Sequence, residues 1–238
     1  MRLLAAPVLA AVLLAVSAAA QAPAYRDATL PIDDRVRDLV ARMTLEEKFW
    51  QLFMIPGSLD DPSHDYSHGI FGLQISTGSG DTPPSGDAAA IARAHAERIN
   101  AIQRYFVERT RLGIPIIPFD EALHGLAREG ATMFPQAIAL AATFDPALVS
   151  RVAAAAARET RTRGIRQALS PVVNIADDVR WGRVEETYGE DPWLSSLMAR
   201  AFVEPFERAG IVTTPKHFVA NAGEGGRDSY PVFHNERL

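Results

Sequence analysis

The 238 residues include no cysteine. That excludes disulfides, thiolate metal sites, a catalytic thiol and a lipid-modified N-terminal cysteine, so stability must come from an apolar core. Nor is there an excess of positive charge or a basic block: 24 Lys and Arg face 29 Asp and Glu, a formal net charge of −5. Nucleic acid is therefore not an expected partner. No G-x-G-x-x-G follows an apolar strand-like run, and the Gly- and Pro-containing stretch 76–87 lacks the Gly-Lys-Ser/Thr ending of a phosphate cradle. No cofactor is called for on these grounds. With 47% hydrophobic residues, the chain has the material for a globular domain.

One uncharged apolar run stands out, at the start. Arg2 precedes Leu3 to Val16, and Ser17-Ala18-Ala19-Ala20 precede Gln21. A charged start, a short apolar core and small residues describe a cleavable secretory signal over residues 1–20. The apolar core is shorter than the ~20 residues a membrane-spanning helix needs. The expectation is a periplasmic or secreted protein, with no membrane association once the signal is removed and residues 21–238 left as the mature domain.

Along that domain, Tyr25 to Pro31 reads as extended and Asp33 to Met43 as a helix. Thr44-Leu45-Glu46-Glu47 is a capping box that starts a short helix reaching about Leu52. Apolar positions Ile91, Ile99, Ile102, Phe106 and Val107 share one face of a helix from Ala88 to Arg111, with Gly113 as a left-handed stop. Asp145-Pro146 starts an Ala-rich helix to Arg163 that Gly164 ends, and Pro192 to Arg208 is a helix that Gly210 ends. Strands are expected at Ile70 to Ile75, Ile114 to Phe119, Ile165 to Val173 and Ile211 to Phe218. Strands alternating with helices imply a parallel sheet. Four such units make about half of a TIM-type (β/α)8 barrel, and too little chain follows His217 to close one, so an incomplete barrel is expected. An open doubly wound sheet is the rival, but it normally binds its ligand beside a glycine-rich first turn.

In a parallel barrel the C-terminal ends of all strands meet on one face. Ionisable residues gather where the apolar runs stop: Asp120-Glu121-Ala122-Leu123-His124-Gly125, Asn174 to Arg183, and Lys216-His217. Glu121 and His124 have the Glu-x-x-His spacing of a di-iron bundle, yet no second copy exists and no metal site follows. A structural ion pair or loop clasp explains them as readily as ligand contact. From Asp177 to Pro192, six carboxylates are interleaved with Arg180, Trp181, Arg183 and Tyr188. The bland reading is a solvated charge cluster; the sharper one is a sugar surface, since aromatics beside Arg and Glu suit a ligand with both apolar faces and hydroxyls. Lys216 alone also permits a Schiff-base lyase.

Taken together, these segments resemble the N-terminal barrel of family 3 glycoside hydrolases of the secreted β-glucosidase and β-xylosidase type. The matching stretches are LGIPIIPFDEALHG (112–125), ATMFPQAIALAATFD (131–145), SPVVNIADDVRWGRVEETYGED (170–191) and TPKHFVANAGEGGRD (214–228), in the family's order, with the early Met43 to Lys48 segment. The resemblance implies a retaining exo-β-glycosidase acting on a β-linked glucoside or xyloside. It implies sugar-binding roles for Glu121, Arg183, Lys216 and His217, with Glu186 supporting them. His124 and Trp181 are further supporting residues, Arg227 is a candidate sugar contact, and 129–132 and 223–228 are rim loops. The family's other branch, the β-N-acetylhexosaminidases, has a Pro-Gly-His-Gly stretch after Lys-His-Phe where Val219 to Gly223 stand here, so that branch is not expected. Many glucosidases of the family carry Asp where Glu121 stands. One extra methylene would crowd the place of a glucose hydroxymethyl, implying that xylosides are accepted at least as well. The family's nucleophile is an Asp in a Ser-Asp-Trp or Ser-Asp-Tyr context on a later strand, and its acid comes from a following domain. Neither motif occurs in the sequence. No catalytic residue is assigned, and a truncated, inactive or merely sugar-binding chain is the expectation.

Overall fold

A computed structural model describes residues 22–77, 86–218 and 221. The proposed signal, Arg227 and the 223–228 loop lie outside the described residues. The chain divides into two compact units, one ending at Phe49 and the other beginning at Trp50.

In the first unit, helix α1 (Ile32–Arg42) begins with Asp33 and Asp34 in its first turn and Arg42 in its last, the charge order that the helix dipole favours. Residues 25–31 are not extended. A 3-10 turn spans Ala24–Arg26, and Asp27 accepts from the Thr29 backbone at 2.9 Å and hydroxyl at 2.6 Å, so local side-chain bonding outcompetes extension. Helix α2 (Leu45–Trp50) has the expected capping box. Glu47 N–H donates to Thr44 Oγ1 at 3.1 Å and Thr44 N–H to Glu47 Oε2 at 2.8 Å.

The second unit is built on five parallel strands, β1 (Met54–Pro56), β2 (Gly72–Gln74), β3 (Ile117–Asp120), β4 (Gln167–Ala168) and β5 (Val212–Thr213), hydrogen-bonded in that order. Sequential order without reversal is the succession of a barrel; a doubly wound sheet would turn back at a switch point. Strand β1 was not expected. Three residues ending in proline carry no readable period, and proline is tolerated because β1 lies at the sheet edge. Strands β4 and β5 are shorter than their apolar runs. Pro171 and Pro215 have no N–H to donate, and beyond the strands the pairing continues as an isolated bridge between Val172 and Lys216.

Helix α3 (Ala88–Arg109) is capped by Asp87, which accepts from Ala90 N–H, and buries His95, Ile99, Ile102 and Phe106 on one face. Its Gln103 clamps the start of β3, donating to the Ile116 carbonyl at 2.7 Å and accepting from Ile116 N–H at 3.0 Å. Helix α4 (Ala137–Ala141), too short to read from pattern, precedes α5 (Pro146–Thr162); α6 (Pro192–Arg208) runs through Pro205. Both long helices begin Asp-Pro, with Asp145 and Asp191 accepting from the third residue beyond. Two cores result. One joins Ile70, Leu73, Ile99 and Phe106; the other joins Val149, Ala153, Met198, Phe202 and Phe206 between α5 and α6.

Candidate active site at the strand ends

Past β3, β4 and β5 the backbone keeps three loops in register. Ala122 N–H donates to Ser170 Oγ at 3.1 Å, Lys216 N–H to the Pro171 carbonyl at 3.0 Å, and Val173 N–H to the Lys216 carbonyl at 2.9 Å. This lacing brings Lys216 to Glu121 although 95 positions separate them, and Nζ donates to Glu121 Oε1 at 2.7 Å. The other Glu121 oxygen, Oε2, is buried and has no hydrogen-bond partner among the described residues. Asp120 holds the Glu121 backbone in place. Its Oδ1 accepts from Glu121 N–H and from Gln74 Nε2, both at 2.9 Å, and its Oδ2 pairs with Arg128 Nε at 2.5 Å.

Arg183, 7% exposed, holds a second cluster. It grips Glu186 through two parallel bonds, Nε to Oε1 at 2.7 Å and Nη2 to Oε2 at 2.6 Å, the strong fork geometry of guanidinium and carboxylate. Asn174 sets the state of His217. Its Nδ2 donates to the Asn221 carbonyl at 2.8 Å, so Oδ1 faces His217 and accepts from its backbone N–H at 3.1 Å and from Nδ1 at 2.9 Å. An amide oxygen cannot donate. Nδ1 therefore carries the proton, and Nε2 accepts from Arg183 Nη1 at 2.9 Å. The Lys216–His217 peptide bond is cis.

Glu121, His124, Arg183, Glu186 and Lys216, expected from sequence, line one cleft of about 280 Å3 with Leu123, Gln136 and Glu185. His217 is tied to it through Arg183. Trp181 and Tyr188 correct the expectation of an aromatic sugar surface: each is only 2% exposed. Trp181 lies behind the site, its Nε1 donating to Asn221 Oδ1 at 3.0 Å and its ring packing edge-on to His217. Tyr188 belongs to the α5–α6 core, where burial pushes its phenol well above the usual range. His124 is a loop clasp, its Nδ1 donating to the Phe134 carbonyl at 2.7 Å. Asp178 lies outside the cleft, held down to about 2 mainly by the Arg180 guanidinium fork.

Gln136, Asn174 and Asn221 were missed as individual residues. Uncharged amides carry no local signal in sequence; their lining or bridging places depend on segments far apart. A larger hollow of about 670 Å3 lies in the N-terminal unit beside Pro23, Asp27 and Arg42, but no buried unpartnered polar atom is among its lining residues.

Acidic, basic and imidazole groups thus converge where consecutive parallel strands end, the face on which TIM-type barrels carry their sites. The chain belongs to glycosyl hydrolase family 3, whose N-terminal domain model matches residues 44–237. It is 36% identical over 228 residues to β-glucosidase C of Emericella nidulans, covering 87% of this chain and 36% of that protein. It is 33% identical over 232 residues to a periplasmic β-glucosidase/β-xylosidase of Dickeya chrysanthemi, covering 88% of this chain and 35% of that protein. The structure of a β-glucosidase from Erythrobacter marinus superposes with a TM-score of 0.68 at 36% identity, covering 83% of this chain and 27% of the other. The chain thus spans about a third of the length of these curated relatives.

Proposed function

We propose that the cleft holds the non-reducing-end sugar of a β-linked glucoside or xyloside, as part of a secreted or periplasmic retaining exo-β-glycosidase. The observation that carries the reading is Glu121. One of its oxygens is saturated by Lys216 while the other is buried without a partner, and such an acceptor is costly until a donor reaches it. Sugar hydroxyls are donors. Lys216 Nζ is engaged by Glu121 Oε1 at 2.7 Å instead of standing free in an apolar pocket, which argues against a Schiff-base lyase. Arg183 and Glu186 form the adjoining wall, with His217 joined to it through Arg183, and Arg227 is a further proposed contact. The volume, about 280 Å3 and so just below the roughly 300–1,000 Å3 of small-molecule clefts, suits a single ring. Family chemistry would then proceed by attack of a carboxylate on the anomeric carbon and hydrolysis of the covalent intermediate; no residue of the cleft is assigned that role.

Secretion is supported by the residue 1–20 pattern and by a relative named as periplasmic; N-terminal sequencing of the exported protein should begin at Gln21. For the sugar, calorimetry of the 238-residue chain should give binding of xylose and glucose with Kd about 1 mM or tighter, with xylose at least as tight. Glu121→Asp should move preference toward glucose. A folded chain that binds neither sugar refutes the reading, and an unchanged preference refutes the role of the methylene.

A further inference from the structure

Gln136 occupies the wall of the same cleft, and nothing in the fold accounts for its side chain. It stands immediately before α4, yet makes no side-chain capping bond to that helix; its main-chain carbonyl alone accepts from Ala139 and Leu140 N–H groups. Its Oε1 is buried and has no partner among the described residues. Turning the amide over would bury an NH2 there instead, equally unmatched, so the mismatch does not depend on which atom is called oxygen. A buried polar atom left so costs roughly a fivefold to hundredfold equilibrium penalty until a partner reaches it.

Its location is imposed. His124 and Phe134 are clasped twice, Phe134 N–H to the His124 carbonyl and His124 Nδ1 to the Phe134 carbonyl, both at 2.7 Å. Between them Gly125 has φ +117°, and a Cβ there would meet the Thr132 carbonyl oxygen at 2.1 Å, so the two segments approach as closely as glycine permits. The clasp delivers Gln136 to the cleft that Glu121, Arg183 and Lys216 also line.

We propose that the Gln136 side-chain amide is a second hydrogen-bond anchor for a sugar hydroxyl, acting together with the unpartnered Oε2 of Glu121. The inference rests on the reading of this cleft as a sugar site. A hydroxyl both donates and accepts, so it satisfies either end of the amide, and the soft terminal torsion of glutamine lets the group turn toward an entering ring. The lining charges narrow the ligand further. Glu121, Glu185 and Glu186 outnumber Arg183 and Lys216, so a neutral sugar is accepted and a uronate, with its own carboxylate, is opposed.

The test is calorimetry on the full 238-residue chain and its Gln136→Leu variant, with glucose, xylose, their monodeoxy analogues and glucuronate, beside thermal unfolding of both proteins. Gln136→Leu should weaken the neutral sugars about fivefold without lowering the unfolding temperature. One monodeoxy sugar, lacking the hydroxyl that meets the amide, should bind both proteins equally, and glucuronate should bind the parent more weakly than glucose. Unchanged Kd in Gln136→Leu, or an equal loss across every deoxy analogue, overturns the role of Gln136 while leaving sugar binding intact. Glucuronate binding as tightly as glucose overturns the charge selection. A parent chain that binds no sugar overturns the underlying reading and this inference with it.

Discussion

Removing the Arg183 guanidinium should expose how far the site's polar wall also holds the fold together. Arg183 and Glu186 side chains are 8% and 13% exposed, so both charges are largely out of water and each is the other's forked partner. Arg183→Met leaves the Glu186 carboxylate without its fork, takes a donor from His217 Nε2, and removes a cation positioned 5.8 Å from the Trp181 ring. Breaking one side of a buried pair costs about 3–5 kcal/mol. The incomplete burial places the expectation at the lower end, about 3 kcal/mol, or a fall in Tm of roughly 6–12 °C for a chain of this size. The double variant Arg183→Met/Glu186→Leu removes both ends of the fork and should be less damaged than the sum of its parts, with a coupling energy of about 2 kcal/mol. Urea unfolding of the parent, both single variants and the double, followed by circular dichroism with a common m-value, reads this directly. A single-variant cost below about 1 kcal/mol, or strict additivity, would show that the fork is solvated and the wall is not a unit.

Two further outcomes concern protonation. Asp178 should titrate near about 2 by carboxyl NMR. Its native state then favours the ionised form above the usual carboxylate range, a preference lost as pH falls toward 2, and Arg180→Ala should move the midpoint up toward 4; an unmoved midpoint refutes the Arg180 fork as its cause. His95 is fully buried, its Nε2 donating to the Ile75 carbonyl at 2.9 Å and its Nδ1 without a partner, and burial pushes it below the ordinary histidine range. The unfolded chain therefore takes up a proton near pH ~6.5 that the folded chain refuses, so this contribution is present above that pH and is lost as pH falls through it. His95→Gln can keep the donor while removing the titration, and should flatten the decline in urea midpoint between about pH 7 and 5; an identical slope refutes the assignment.

Elements whose hydrogen bonds close within a few residues were legible beforehand. The Thr44–Glu47 capping box and the Asp145-Pro146 start each satisfy helix-end donors from a side chain three positions away, so the residues that decide them sit side by side in the chain. The same holds for the left-handed glycines at 164 and 210. The family resemblance also singled out Glu121, Arg183, Glu186 and Lys216 before any geometry, because their neighbours form recognisable strings.

What the sequence by itself determined, then, is the succession of the long helices, the parallel alternation and the identity of the charged groups, because these are written in local pattern and short motifs. Tertiary structure alone decided that Lys216 meets one oxygen of Glu121 and leaves the other unmatched, that Trp181 and Tyr188 turn inward, that Asn174 fixes the His217 tautomer, and that Gln136 reaches the cleft. Each of those outcomes depends on register between strands or loops tens of residues apart, where a shift of one position would replace the partner. No local preference encodes such a register; the packing of the whole sheet selects it.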